Sequence, residues 1–124
     1  MPRTGCPMMD DRLVLLVEDD VLIGMMLVDM LEALGFPEPA QATSIEEAFA
    51  VLDAQPVAAA LIDINLGETK GWPVADALAA RAIPFAFTTG GGDIIPPAHA
   101  HRTMVTKPFR LAEIEAALSA FFTG

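Results

Sequence analysis

The sequence predicts an α/β domain built on a parallel sheet, and three observations carry that prediction. Short apolar runs alternate with helical stretches along the whole chain. Two of those runs, Leu13–Val17 and Ala58–Ile62, are too short for helices and apolar throughout, the pattern of strands buried on both faces. Both end abruptly on carboxylates, Glu18-Asp19-Asp20 and Asp63. In open α/β sheets the crevice outside the carboxyl ends of the strands is where ligands bind.

The elements follow in order. Leu13–Val17 is the first strand, and the acids after it suit a helix start, where free N–H groups favour negative charge. Val21–Leu34 is that helix, stopped by Gly35 and Pro37. Its inward face is Ile23, Leu27, Met30, Leu31 and Leu34. Leu22, Met25, Met26 and Ala33 form a second apolar side, where polar residues belong, broken only by Asp29. That side reads as an exposed patch for a partner.

Glu38–Thr43 is a short edge strand, because Pro39 removes a ladder donor. Ser44-Ile45-Glu46-Glu47 is a capping box opening a helix to about Asp53. The central strand ends at Asp63, Leu66–Gly71 is a loop, and Trp72–Arg81 is a third helix with Pro73 in its first turn. Pro84–Thr89 is a fourth strand, ended by Gly90-Gly91-Gly92. Thr103–Thr106 is a short fifth strand, and Leu111–Phe122 a closing helix. From Gly90 to Arg102, three Gly and Pro96-Pro97 predict a loop with one or two turns at most, since interior Pro costs about 3 kcal/mol in a helix.

Composition narrows the function. A length of 124 residues, 53% of them hydrophobic, suits one compact domain. A formal charge of -10, from 17 acidic against 7 basic residues, argues against nucleic acid or an anionic membrane as direct partner. The single Cys6 excludes an internal disulfide. No signal peptide is visible, and the longest apolar stretch, Val21–Val28, falls short of the ~20 residues of a membrane span, so a cytoplasmic protein is expected.

Four strand ends converge on one edge of the predicted sheet, bringing Glu18 and Asp19, Asp63, Thr89 and Lys107. Close carboxylates repel, by about 4 kcal/mol per pair at 4 Å with an effective dielectric of 20. A hard divalent cation relieves this, and an oxygen-only set without His or Cys points to Mg²⁺. A carboxylate there could attack phosphorus and form an acyl phosphate. Lys107 would meet the phosphoryl oxygens as a point charge, and a threonine hydroxyl another. Thr88 and Thr89 both qualify; Thr89, last before the glycines, is the favoured one. Lys70 reads as a solvent-facing loop lysine, and His99 and His101 as loop residues.

In this order, Val17-Glu18-Asp19-Asp20, Asp63 with Gly71 eight positions on, Thr89, and Val105-Thr106-Lys107-Pro108-Phe109 resemble the receiver domain of two-component response regulators, from about Arg12 to Phe122. The resemblance implies a flavodoxin-like (βα)5 doubly wound parallel sheet, order 2-1-3-4-5, with the fourth helix here short or absent. It implies that Asp63 accepts phosphate from a phosphohistidine, and that Glu18, Asp19, Asp63 and the backbone carbonyl of Asn65 hold Mg²⁺. It also implies a sensor histidine kinase or histidine phosphotransfer protein as donor, and a downstream protein target. Residues 1–11 are then a disordered arm and 12–124 a receiver with no output domain, signalling by contact or onward transfer, with a homodimer through the first helix as one option.

Two departures matter. The aromatic residue expected three positions before the lysine is Met104, and the fourth helix is replaced by the Gly/Pro loop. With Pro84-Phe85-x-Phe87-x-Thr89-Gly90 they resemble a subset of stand-alone receivers with a Phe-x-Thr-Gly signature. The moving part is then expected in the Gly90–Arg102 loop. Two alternatives stay open: a pseudo-receiver that binds a partner without phosphorylation, and an aspartyl-nucleophile phosphatase. The second lacks the usual acid/base Asp two residues after Asp63, where Asn65 stands.

Overall fold

The structure, a computed structural model, describes residues 12–122. The expected arm over 1–11, with Cys6, and residues 123–124 lie outside the described residues. Five strands form one parallel sheet: β1 Val14–Val17, β2 Ala40–Ala42, β3 Ala59–Asp63, β6 Phe85–Thr89 and β7 Met104–Thr106. Their order is β2-β1-β3-β6-β7, the predicted doubly wound order when only these five are counted. β3 is buried throughout, and β1 and β6 likewise, which is why each reads as a continuous apolar run.

Helices cover both faces. α1 (Val21–Ala33) and α4 (Leu111–Phe122) pack Leu27, Leu31, Ile114 and Leu118 against Val14, Leu16, Leu61, Ala86 and Val105. α2 (Ile45–Ala54) and α3 (Trp72–Ala80) pack Ala48, Leu52, Val74 and Leu78 against Leu15, Val17, Ile62, Phe85 and Phe87. Side chains alternate along each strand, so one sheet feeds two cores. The second apolar side of α1 remains uncovered: Leu22 is 75% and Met25 58% exposed.

Local chemistry sets the helix starts. Asp20 caps α1, its Oδ1 accepting from the N–H groups of Leu22 (2.9 Å) and Ile23 (3.2 Å). Ser44 Oγ caps α2 by accepting from Glu47 N at 3.1 Å. The capping box is closed differently from the expected pattern. Glu47 Oε1 accepts from the N–H and hydroxyl of Thr43, one residue earlier than the cap.

Two expectations are corrected. The predicted loop after Asp63 is a small antiparallel hairpin, β4 (Asn65–Leu66) and β5 (Thr69–Lys70), turned by Gly67 at φ 65°. His99 is not a loose loop residue. It sits in a single 3₁₀ turn (Pro97–His99) and is buried, with Nε2 2.7 Å from Asp76 Oδ1. Its ring stacks on Trp72 at 6.2 Å and meets Phe85 and Phe87 edge-on. Arg102 adds its guanidinium over Phe85 at 4.3 Å. This turn covers the α2/α3 side of β6, where a helix between β6 and β7 is missing as the prolines and glycines predicted. No helix among the described residues is long and apolar enough to cross a membrane.

Candidate functional site

β1 and β3 deliver their acids to the same sheet edge. Their register aligns Val17 with Ile62, so Glu18 follows one strand as Asp63 ends its neighbour. Glu18 and Asp63 are buried, Asp19 is exposed, and one carboxylate oxygen from each lies within 4.8 Å of the others. Asp20, next in the chain, caps α1, the helix-start role expected of an acid at this point.

Lys107 reaches this group from the loop after β7. Its Nζ donates to Asp63 Oδ2 at 2.9 Å and lies 3.2 Å from Glu18 Oε1. The second contact is an ion pair without hydrogen-bond geometry, for Glu18 Oε1 is buried with no hydrogen-bond partner among the described residues. Glu18 Oε2 accepts from Asp20 N at 3.1 Å, and Asp63 Oδ1 from Asn65 N at 3.0 Å. Gly67 N donates to Asp19 Oδ2 at 2.8 Å, tying the hairpin turn to the acid cluster.

Crowding shifts the charges. Burial pushes the Glu18 carboxyl up to about 7, helped by the neighbouring Asp63 carboxylate. Burial works against the Lys107 ammonium, but the hydrogen bond to Asp63 and the Asp63 charge outweigh it and hold Lys107 above the usual lysine range. Two carboxylates and one ammonium thus share a crowded, partly dry edge in which an additional cation would find ready oxygen ligands.

Thr89 ends β6, one residue past the Asp63–Thr88 register pair, and its carbonyl accepts from Lys107 N at 2.8 Å. Thr88 is buried in the strand. The Thr89 hydroxyl donates to Asp93 Oδ2 and accepts from Gly91 N at 2.9 Å. Asp93 also accepts from Asn65 Nδ2 at 3.1 Å and lies 3.5 Å from Lys70 Nζ, which itself donates to Asn65 Oδ1. Sequence reasoning missed Asp93, and it took Lys70 for a solvated lysine. Lys70 stands opposite Asn65 across the hairpin, half-exposed yet paired with both. The Thr89 and Asn65 hydrogen bonds hold the Asp93 carboxyl below the usual range.

Gly71 supports the site from behind. It precedes α3 and donates its N–H to Ile64 O at 2.8 Å. Beside the cluster, Ile23, Met26, Lys107, Pro108 and Phe109 line an apolar cleft of about 280 Å³ that joins the uncovered side of α1. The Lys107–Pro108 peptide is cis.

Known proteins share the fold and the family. Residues 14–119 match the response regulator receiver domain. SdrG from Sphingomonas melonis Fr1, solved in solution, is 39% identical and superposes with a TM-score of 0.80, over 90% of this chain and 97% of that one. The BeF3-activated conformation of SdrG, described from Pseudomonas melonis Fr1, is 40% identical with a TM-score of 0.76, over 89% and 95% of the two chains. The receiver domain of Erythrobacter litoralis PhyR is 25% identical with a TM-score of 0.74, over 89% and 88%. No curated protein sequence matches the chain significantly. With its sheet order, its strand-end acids and a family match across most of its length, the chain belongs to the response regulator receiver domains.

Proposed function

We propose that this receiver is a working phosphoacceptor, with Asp63 as the acceptor and phosphohistidine as the donor. The observation that carries the reading is the buried Asp63 carboxylate, hydrogen-bonded by Lys107 at 2.9 Å and flanked by Glu18 and Asp19. An Asp63 oxygen attacks phosphorus as the P–N bond breaks, and its electron pair stays on the imidazole nitrogen. Asp63 then carries an acyl phosphate. Lys107 faces the charge that develops on the phosphoryl oxygens, and the Thr89 hydroxyl is the candidate donor to another. Beyond its own phosphorylation and dephosphorylation the chain is not an enzyme in this reading.

The residues fit Mg²⁺. All the ligand atoms are oxygens, and buried Glu18 Oε1 has no hydrogen-bond partner among the described residues. Glu18, Asp19, Asp63 and the Asn65 carbonyl would hold the ion, with Glu18 acting directly or through water. It would supply positive charge against the incoming phosphoryl group.

For partners, the uncovered side of α1 and the neighbouring apolar cleft are the surfaces offered to a kinase or phosphotransfer protein, and to a second copy. A downstream protein target reads the phosphorylated form. The relative SdrG takes a BeF3-activated conformation, which supports an acceptor of the same kind here. Intact mass after incubation with acetyl phosphate and Mg²⁺ tests the reading. One phosphoryl group is expected on the wild type, and none on Asp63→Ala or without Mg²⁺. A wild type that gains nothing from acetyl phosphate or from a phosphorylated phosphotransfer protein would sink it in favour of a pseudo-receiver.

A further inference from the structure

Asp93 makes a set of contacts that an acceptor site does not require. It lies just after Gly91 and Gly92, whose φ values of 101° and 79° turn the chain back on itself. This turn aims the carboxylate at the end of β6 and at the hairpin after Asp63. There it takes the Thr89 hydroxyl, the Asn65 amide and a place beside the Lys70 ammonium. Only 13% of the Asp93 side chain is exposed. Two residues on, Ile95 packs against the core, while Ile94 between them is 92% exposed.

A carboxylate that gathers a hydroxyl, an amide and an ammonium is doing what a phosphoryl group does with similar donors. We propose that Asp93 is an internal competitor of the phosphoryl group: it holds Thr89, Asn65 and Lys70 in the unphosphorylated chain and is expelled when an anion arrives on Asp63. The inference rests on the acceptor reading above. Two forces expel it. The Thr89 hydroxyl has one proton and cannot donate to both anions. An acyl phosphate carries a charge of about -1.5 to -2 where the free Asp63 carboxylate carried -1, so negative charge grows on the side facing Asp93. Release of Asp93 frees the segment from Ile94 to Arg102, which among the described residues is fixed at its far end by His99 on Asp76 and Arg102 on Phe85. The latch is thus a carboxylate, and the donors it gives up are those the new anion needs.

The test uses beryllofluoride with Mg²⁺ as the probe, titrated by NMR into the wild type, Asp93→Ala and Asp93→Asn. Removing the competitor is expected to tighten binding by about tenfold in Asp93→Ala, the size of one charge-assisted hydrogen bond. Asp93→Asn keeps the shape and loses the charge; it is expected to tighten binding by about threefold and carries the test if the alanine variant does not fold. A second readout needs neither metal nor anion: amides 94–102 exchange faster in the unliganded variants than in the wild type. Wild-type binding with no tightening in the variants, or unchanged exchange in this segment, overturns the latch alone. Failure of the wild type to bind beryllofluoride at all removes the acceptor reading, and the latch with it.

Discussion

Gly71 and the backbone of Asp63 are in such close contact that a Cβ on Gly71 would lie 2.8 Å from the Asp63 carbonyl oxygen and 3.0 Å from Ile62 Cγ2. The first obstacle is backbone of the central strand and cannot swing aside as a side chain would. Gly71→Ala is therefore expected to cost about 1–3 kcal/mol in urea unfolding, and to shift the Asp63 and Asn65 amide resonances. A variant as stable as the wild type would mean that the hairpin yields instead.

Lys107 is the cation that the described structure places between Glu18 and Asp63. Lys107→Met leaves two buried carboxylates facing each other, at an expected cost of about 2 kcal/mol at pH 7.5. Acid should repair it, because protonating Glu18 removes the repulsion. A stability deficit equally large at pH 5 would show that the lysine matters through packing alone.

The Glu18 carboxyl, raised from its ordinary 4.5 to about 7, makes stability and metal affinity move in opposite directions with pH. The folded chain holds this proton more tightly than the unfolded one. That contribution is complete below about pH 4.5 and is lost as pH rises through about 7. Mg²⁺ must displace the same proton, so its affinity should fall by up to about tenfold per unit below pH 7. Calorimetric Mg²⁺ titrations at pH 5.5, 6.5 and 7.5 check this. Glu18→Gln should bind more weakly and flatten the dependence.

His99 contributes as an aromatic filler more than as a base. Its Nδ1 is buried without a partner among the described residues, and Asp76, which binds Nε2, is largely exposed. His99→Phe is expected to fall within about 1 kcal/mol of the wild type, whereas His99→Ala should cost about 2–4 kcal/mol. Trp72, the one tryptophan, stacks on this ring, so its emission should shift to the red in the alanine variant. Equal losses in the two variants would assign the role to the hydrogen bond.

Met25→Glu tests the uncovered side of α1. The residue is 58% exposed, so stability should stay within about 0.5 kcal/mol of the wild type. Phosphotransfer from a histidine phosphotransfer protein should slow, while phosphorylation by acetyl phosphate should not. Unchanged transfer would place the docking surface elsewhere.

Much of this was legible because apolar runs announce their own ends. Val14–Val17 and Ala59–Asp63 stop at acids, and parallel pairing then brings those acids together without further information. The same reasoning located Lys107 and the interrupted fourth helix. Asp93 was not legible, since a lone acid after three glycines resembles any solvated turn until positive φ at Gly91 and Gly92 folds it back. The glycine pair was the available signal. His99 was hidden for another reason. Its surroundings, Trp72, Phe85 and Phe87, come from other elements, and no local pattern joins them to Pro97–His99. The hairpin escaped because two-residue strands have no measurable period.

The sheet is bounded by its two shortest strands. β2 and β7 have three residues each, against five in β3 and β6. A sheet margin with unpaired N–H and C=O groups is a template on which another chain can add, and the loss of a full helix before β7 leaves that side less shielded. Three residues present too few free groups to seed such growth, and a formal charge of -10 keeps neighbouring molecules apart. The shortness of its borders thus works against growth of the sheet from strand to strand, beside an open apolar helix side and a thinned flank.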